Sequence, residues 1–443
     1  MTVYNNCRNP VLPPSLHIPD PEAHVMPDGR VYVYGSMDIV DSTYCSGEYR
    51  VFSSADMVDW TDHGQSFKAG QVPWLFDANA PRYWNTDWDF ENPTAVLENI
   101  MKEYVDQNGE VAPTDEHMPK VNFLYAPDAI YRDGRYYLYF CCSDNSEGIA
   151  VSDTPYGPFS DPVRLPCDGI DPAVFIDDDG QAYYFWGQFR ASGAKLKPNM
   201  MVLDEQSVTP HLVTEEQHGF HEGSSLRKRG DTYYYVYPCI YRGNPTALAY
   251  ATSKAPLGPY TYRGIIIDNK KCDPESWNIH GSIEEVNGQW YVFYHRSSGN
   301  SRYMRRLCIE PISFNEDGSI DEVKMTSQGA GRPFGLGEAI EGWRACEVGG
   351  SVYTGKQGEL YVSGEGTACF RYVDWALSPQ KIMVQATGSG RIQLLVDGVN
   401  AGALEINEGQ SFECPVLSAA GRHEVSLVFL KESDIVLKSI VFE

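Results

Sequence analysis

A turn-and-strand phrase recurs along the chain and limits what it can fold into. It reads PDGRVYVYGS from Pro27, RDGRYYLYF from Arg132, DDGQAYYFWG from Asp178, KRGDTYYYVYP from Lys228 and VNGQWYVFYHR from Val286. Each is a glycine-containing hairpin turn running into a short strand rich in Tyr, Phe, Trp and Val. The turn glycines are Gly29, Gly134, Gly180, Gly230 and Gly288, spaced by 105, 46, 50 and 58 residues. Three spacings near 50 match the period of a four-stranded propeller blade. The doubled first spacing implies an insertion across about residues 68–122, with a helix-like stretch at 93–105 and a Trp-rich loop holding Trp74, Trp84 and Trp88. A second repeat, SDTPYGPFSD from Ser152 and SKAPLGPYTY from Ser253, follows its hairpin within one blade length, and Trp60 sits at the equivalent place in the first blade. Helical periodicity is otherwise nearly absent from the first 320 residues. The expected fold is all-β, a five-bladed propeller; a β-sandwich would not explain a 50-residue repeat.

Just upstream of each hairpin lies a segment that reads as the innermost strand of its blade: HIPDPEAHV, YAPDAIYR, GIDPAVFID, HEGSSLRK and IHGSIEEV. At related places sit Asp20, Asp128, Asp171, Glu222 and His280, lying 9, 6, 9, 8 and 8 residues before their turn glycines. Innermost strands line a propeller's central channel, so these groups converge on the axis. Gathering like charges costs stability unless they are paired, protonated or metal-bound, which marks the place as chemical. Two carboxylates facing a pocket suit glycoside hydrolysis, one giving a proton to the leaving oxygen and the other activating water; a third tunes the acid. Asp171, ahead of a proline, reads equally as the turn that begins a strand. His280 reads either as a buried, hydrogen-bonded histidine or as a contact for water or calcium. Arg296, His280, Trp74 and Asp171 are candidate substrate contacts.

At these residues the chain resembles glycoside hydrolase family 43 over roughly residues 5–330. The stretch NPVLPPSLHIPDPEAHVMPDGRVYVYGS is similar to the family's first blade, YAPDAIYRDGRYYLYF to its second, HEGSSLRKRGDTYYYVY to its Glu-Gly segment and IHGSIEEVNGQWYVFYHR to its fifth blade, with Ser224 where the family often has proline. The resemblance implies Asp20 as general base, Asp128 as the aspartate that tunes the acid, and Glu222 as general acid. It also implies His280 near an axial metal or water, and Arg296 touching substrate. The expected activity is inverting exo-hydrolysis releasing terminal xylose or arabinofuranose from xylan- or arabinoxylan-derived oligosaccharides. No cofactor is required, and a structural calcium at His280 is the candidate metal. A lectin-like propeller is the competing class, disfavoured because a lectin needs no opposed acid and base. A levan- or sucrose-type retaining hydrolase is another, separated by its closer carboxylates, and an arabinan-active hydrolase is a further alternative.

The formal net charge of −25 opposes nucleic acid and anionic membranes as partners and leaves a neutral oligosaccharide as the natural one. Eleven cysteines without metal-binding spacing, behind an N-terminus with neither basic start nor apolar run, point to free thiols and a cytoplasmic setting. With the propeller at 1–325, composition turns Gly-rich over 326–342, expected as a linker. Residues 343–443 alternate in period two and predict a β-sandwich, similar to carbohydrate-binding module family 6. Trp343, Tyr372 and Trp375 are its candidate sugar platforms, each equally readable as core or inter-domain packing.

Overall fold

The computed structural model describes residues 1–77, 80, 123–407 and 409–443. Five antiparallel sheets form the N-terminal body. The first comprises β1 (Thr2–Asn5), β2 (Glu22–Val25), β3 (Val31–Gly35), β4 (Glu48–Ser54) and β5 (Asp59–Lys68). The second holds β6 (Asp128–Arg132), β7 (Arg135–Cys141), β8 (Ser146–Ser152) and β9 (Ser160–Asp168). The third holds β10 (Ala173–Ile176), β11 (Ala182–Trp186) and β12 (Ser192–Lys195). The fourth holds β13 (Ser225–Arg229), β14 (Thr232–Cys239), β15 (Ala247–Ser253) and β16 (Thr261–Asp268), and the fifth β17 (Gly281–Val286), β18 (Gln289–Ser298) and β19 (Ser301–Ile312).

The innermost strands β2, β6, β10, β13 and β17 pack each on the next, and β17 packs back on β2, closing a five-bladed propeller. The repeated phrase is the hairpin between the first two strands of every blade. All five turn glycines have φ between +58° and +87°, a region that costs a side chain and not glycine. The strand aromatics fill the seams, one apolar cluster between each pair of neighbouring blades. Trp60 is fully buried in the seam between the fifth and first blades. Ring closure is reinforced by Asn9, whose amide donates to the Ile309 carbonyl at 2.9 Å and to Glu310 at 2.8 Å.

Between β5 and β6 the described part of the insertion turns through Ala69–Gln71 and Pro73–Phe76. The helix expected over 93–105, with Trp84 and Trp88, lies outside the described residues. Trp74 is wedged in the seam of the first two blades: it stacks on Phe140 at 6.0 Å and its indole N–H donates to Ser146 Oγ at 2.9 Å. That corrects its expected role, because its polar edge and its ring are both spent on packing.

The C-terminal body is one highly curved antiparallel sheet of β20 (Ala339–Glu341), β21 (Glu347–Thr354), β22 (Leu360–Trp375), β23 (Lys381–Val396), β24 (Val399–Ile406), β25 (Ser411–Pro415), β26 (Gly421–Phe429) and β27 (Asp434–Phe442). Its strands wrap around a single apolar core that includes Trp375. β20 lies inside the segment expected as linker, which is tied down further by Gln328 N–H to the Arg371 carbonyl (2.8 Å) and Phe334 N–H to the Tyr372 carbonyl (3.0 Å). Arg306 and Arg344 cover the ring of the buried Trp343 at 5.5 and 4.5 Å, and Arg422 covers Tyr372 at 4.2 Å. Trp343 and Trp375 are therefore packing residues.

All eleven cysteines are free thiols, ten of them buried. Among the described residues no helix is long and apolar enough to cross a membrane.

Candidate active site

Asp20 and Asp171 occupy equivalent places in the first and third blades. Each precedes a proline, lies two residues before its innermost strand, and holds φ at +56°. A left-handed aspartate is uncommon and concentrates at sites where the surroundings over-determine the backbone. Both side chains are buried, and each brings one oxygen within 3.8 Å of His280 Nδ1, just ahead of β17.

Glu222 approaches from the fourth blade. The following Gly223 has φ +67°, and a Cβ there would meet His280 Nε2 at 3.0 Å and Pro238 Cδ at 2.9 Å. Glycine is what lets the Glu222 backbone lie against the His280 ring. Glu222 Oε2 accepts from Gln188 Nε2 at 3.0 Å, and Oε1 from Asn278 Nδ2 at 3.5 Å. Its side chain remains partly open to solvent, unlike those of the two aspartates.

Arg305, on β19, balances the charge. Its Nη1 donates to Asp20 Oδ1 at 2.9 Å, while Nε and Nη2 make a two-pronged pair with Asp38 at 2.9 Å each. Asp38 lies in the 36–47 loop, which also brings Cys45 Sγ to 3.7 Å from Asp20 Oδ2 and Tyr44 beneath the guanidinium at 4.8 Å. His295 lies behind Asp20, whose backbone N–H donates to Nδ1 at 3.3 Å, and Nε2 faces the Asn278 carbonyl at 3.2 Å. Burial drives His295 down to about 3, with Arg305 adding to it, so the ring is neutral with its proton on Nε2. Burial pushes Asp20 up, but Arg305, His280 and His295 outweigh it and hold the carboxyl below its ordinary value. Asp171 makes no direct ion pair with Arg305, whose pull is too weak to offset burial, Glu222 and Asp20, and these raise it well above the usual carboxylate range. Burial lowers His280, against the pull of Asp20 and Glu222.

Asp128 is not in this group. It opens β6 inside the hairpin ladder, paired with Tyr139, three residues closer to its turn glycine than Asp20 and Asp171 are to theirs. Its Oδ1 meets His24 Nε2 at 2.7 Å, and Oδ2 accepts the Val174 N–H at 2.7 Å. His24 and Glu22 lie on β2, and Glu22 is held by Arg227 at 2.7 Å and Ser225 at 2.9 Å. This is a second, buried network further along the innermost strands. Burial raises Asp128 to about 7 despite Arg227, and lowers His24 to about 4.

Arg296 is also elsewhere. It pairs across the hairpin with Arg306, whereas Arg305 pairs with Ser297, so strand alternation turns Arg296 and Arg305 to opposite faces. Arg296 is spent on Glu310 at 3.0 Å, the Thr326 carbonyl at 2.8 Å and the Tyr294 hydroxyl. The arginine of the site is Arg305, which the sequence reading missed along with Asp38, Tyr44, Cys45 and His295.

Neither cluster supplies a calcium cage. Around His280 the donors are one imidazole and two carboxylates, with Arg305 already on Asp20, whereas calcium takes six to eight oxygens. Among the described residues, Glu22, His24 and Asp128 are the one group with ligand atoms close enough for a metal. Arg227 already engages Glu22, and two backbone N–H groups already engage Asp128.

Residues 106–320 match the family model of Glycosyl hydrolases family 43. A xylosidase/arabinosidase of Thermoclostridium stercorarium is 31% identical over 369 residues, covering 73% of this chain and 67% of that protein. The crystal structure of a β-xylosidase/α-arabinofuranosidase from a compost microbial metagenome, in complex with xylotriose, superposes with TM-score 0.54 at 26% identity, over 73% of this chain and 99% of that one. A Bacillus subtilis arabinoxylan arabinofuranohydrolase structure shares the fold across 99% of this chain and 97% of its own, at TM-score 0.52 and 23% identity.

Proposed function

This chain belongs to glycosyl hydrolase family 43, and from that premise we propose that it releases terminal xylose or arabinofuranose from xylan- or arabinoxylan-derived oligosaccharides with inversion at the anomeric carbon. The observation that carries the reading is the convergence of Asp20, Asp171 and Glu222 on His280, with the two aspartates in opposite electrostatic settings. Asp20, ionised beside Arg305, is the base that takes a proton from water. Glu222, partly solvent-facing and oriented by Gln188 and Asn278, is the acid that protonates the glycosidic oxygen. Asp171 takes the tuning and orienting role that the resemblance assigned to Asp128, because it interacts electrostatically with Glu222. His280 Nδ1 faces one oxygen of each aspartate, and Arg305 anchors the base.

A single displacement needs room for water between acid and base, about 6.5–9.5 Å between carboxyls. Departure of the leaving group is then concerted with attack of that water. The neutral glycan fits a chain of net charge −25. The C-terminal body, similar in pattern to carbohydrate-binding module family 6, has two of its three candidate platforms buried, which favours a packing role over sugar capture. Proton NMR of early hydrolysis of a β-linked xylooligosaccharide tests the proposal: it predicts that the α-anomer of xylose appears first. Primary release of β-xylose would reveal a retaining enzyme, and no release from xylosides or arabinofuranosides would overturn the substrate class.

A further inference from the structure

Both oxygens of Glu222 are held by side chains whose sequence neighbours are exposed aromatics. Gln188, on Oε2, is followed by Phe189; Asn278, on Oε1, is preceded by Trp277. Phe189 is 39% exposed and Trp277 37%, whereas most aromatics of the propeller lie in its seams.

The two rings are fixed in place. Phe189 has φ +63°, uncommon for a bulky residue, and is pinned by its N–H to the His221 carbonyl at 2.6 Å and its carbonyl to the Glu215 N–H at 2.8 Å. Its ring stands edge-on to His221 at 5.3 Å. Trp277 carries the Arg302 guanidinium over one face at 4.8 Å, and Arg302 is steered by Glu275 at 3.9 Å. Asn278 Oδ1, on the residue next to Trp277, is a buried acceptor with no partner among the described residues, and the Tyr44 hydroxyl is buried and unpartnered in the same sense. Such groups are costly unless a ligand or water satisfies them.

A general acid must touch the oxygen that leaves, so the departing part of the substrate lies on the Glu222 side of the site. We infer that Trp277 and Phe189 are specificity-determining residues that flank Glu222 as the leaving-group subsite, taking a neutral pyranose ring such as the next xylose of the chain. The apolar faces of the sugar stack on the aromatic rings, which are large and rigid, and its hydroxyls reach Asn278 Oδ1 and Arg302. The inference rests on Glu222 being the acid.

The test uses two substrates sharing one glycone: xylotriose, whose leaving group is a sugar, and β-D-xylosyl fluoride, whose leaving group is one atom. Trp277→Ala and Phe189→Ala each lower kcat/KM for xylotriose about tenfold, chiefly through KM, and leave the fluoride within about twofold. Trp277→Phe restores most of the loss. Both side chains are well exposed, and unchanged thermal unfolding shows that the variants fold. An active wild type whose xylotriose-to-fluoride ratio is unchanged in both alanine variants overturns the subsite alone. A wild type inert to both substrates and to their α-L-arabinofuranosyl counterparts overturns the reading beneath it and the subsite with it.

Discussion

Asp20 and Asp171 each place one carboxylate oxygen 3.8 Å from the same nitrogen, His280 Nδ1, yet their charges are set in opposite directions. Arg305 grips Asp20 at 2.9 Å and, with the other groups favouring its ionised form, outweighs its burial; on Asp171, with no arginine in direct contact, the weaker pull of Arg305 does not offset burial, Glu222 and Asp20. Two equivalent residues of a repeated fold thereby acquire different chemistry from their surroundings alone.

Arg305 sets the acid limb of the pH profile. As base, Asp20 acts only when ionised, so kcat/KM falls as pH drops through its pKa. The Arg305 charge lowers that pKa; Arg305→Lys gives up the two-pronged hold on Asp38 and loosens the contact with Asp20. The expected result is a lower kcat and an acid limb moved to higher pH, measured from pH–rate profiles. An unmoved limb would separate Arg305 from the base.

Glu222→Gln separates proton donation from binding. Oligosaccharide hydrolysis should fall by about 10²–10⁴ in kcat, whereas a glycosyl fluoride, whose departure needs no proton, should lose far less. Equal losses on both substrates would remove Glu222 from the acid role.

Glu147, fully buried on β8, is raised to about 8 chiefly by burial, with Tyr184 and Cys167 donating to its side chain. Its folded value lies above its unfolded one, so the stability it contributes is complete below about pH 4 and is lost as pH rises toward 8. Denaturant unfolding across that window should show the wild type losing up to about 1.4 kcal/mol per pH unit relative to Glu147→Gln. A constant difference between the two proteins would contradict the shift.

Trp343→Ala tests the role of the C-terminal body. With Arg306 and Arg344 stacked on the buried ring, the substitution should cost about 3–5 kcal/mol of stability. Retention on insoluble xylan, measured by pull-down, should not change; lost retention without lost stability would make the ring a sugar platform.

Much of the fold was legible because the blade hairpins repeat, and repeated turns fix where each innermost strand begins. The same register contained the distinction between the aspartates. Asp20 and Asp171 lie 9 residues before their turn glycines and Asp128 lies 6, a three-residue offset that moves Asp128 into the ladder and on to His24. Motif likeness outweighed that offset in the sequence reading. Arg305 left no local trace: its partner Asp38 is 267 residues away, on a loop whose course depends on the closed ring. The YHR segment drew attention to Arg296, but strand alternation turns that side chain toward Glu310. For Trp343 and Trp375, period-two alternation identifies strands and cannot say which face meets the propeller or the core.

The most direct measurement is a comparison of kcat for Asp171→Asn and Asp128→Asn on one xylooligosaccharide, with folding checked by thermal unfolding. Asp171→Asn should remain folded and lose at least about a hundredfold in kcat. Asp128→Asn should lose mainly stability, about 3–5 kcal/mol for breaking a buried charged network, with kcat of the folded protein within about tenfold of wild type. The reverse pattern, a silent Asp171 and a catalytically dead but stable Asp128 variant, would contradict the assignment of the third carboxylate.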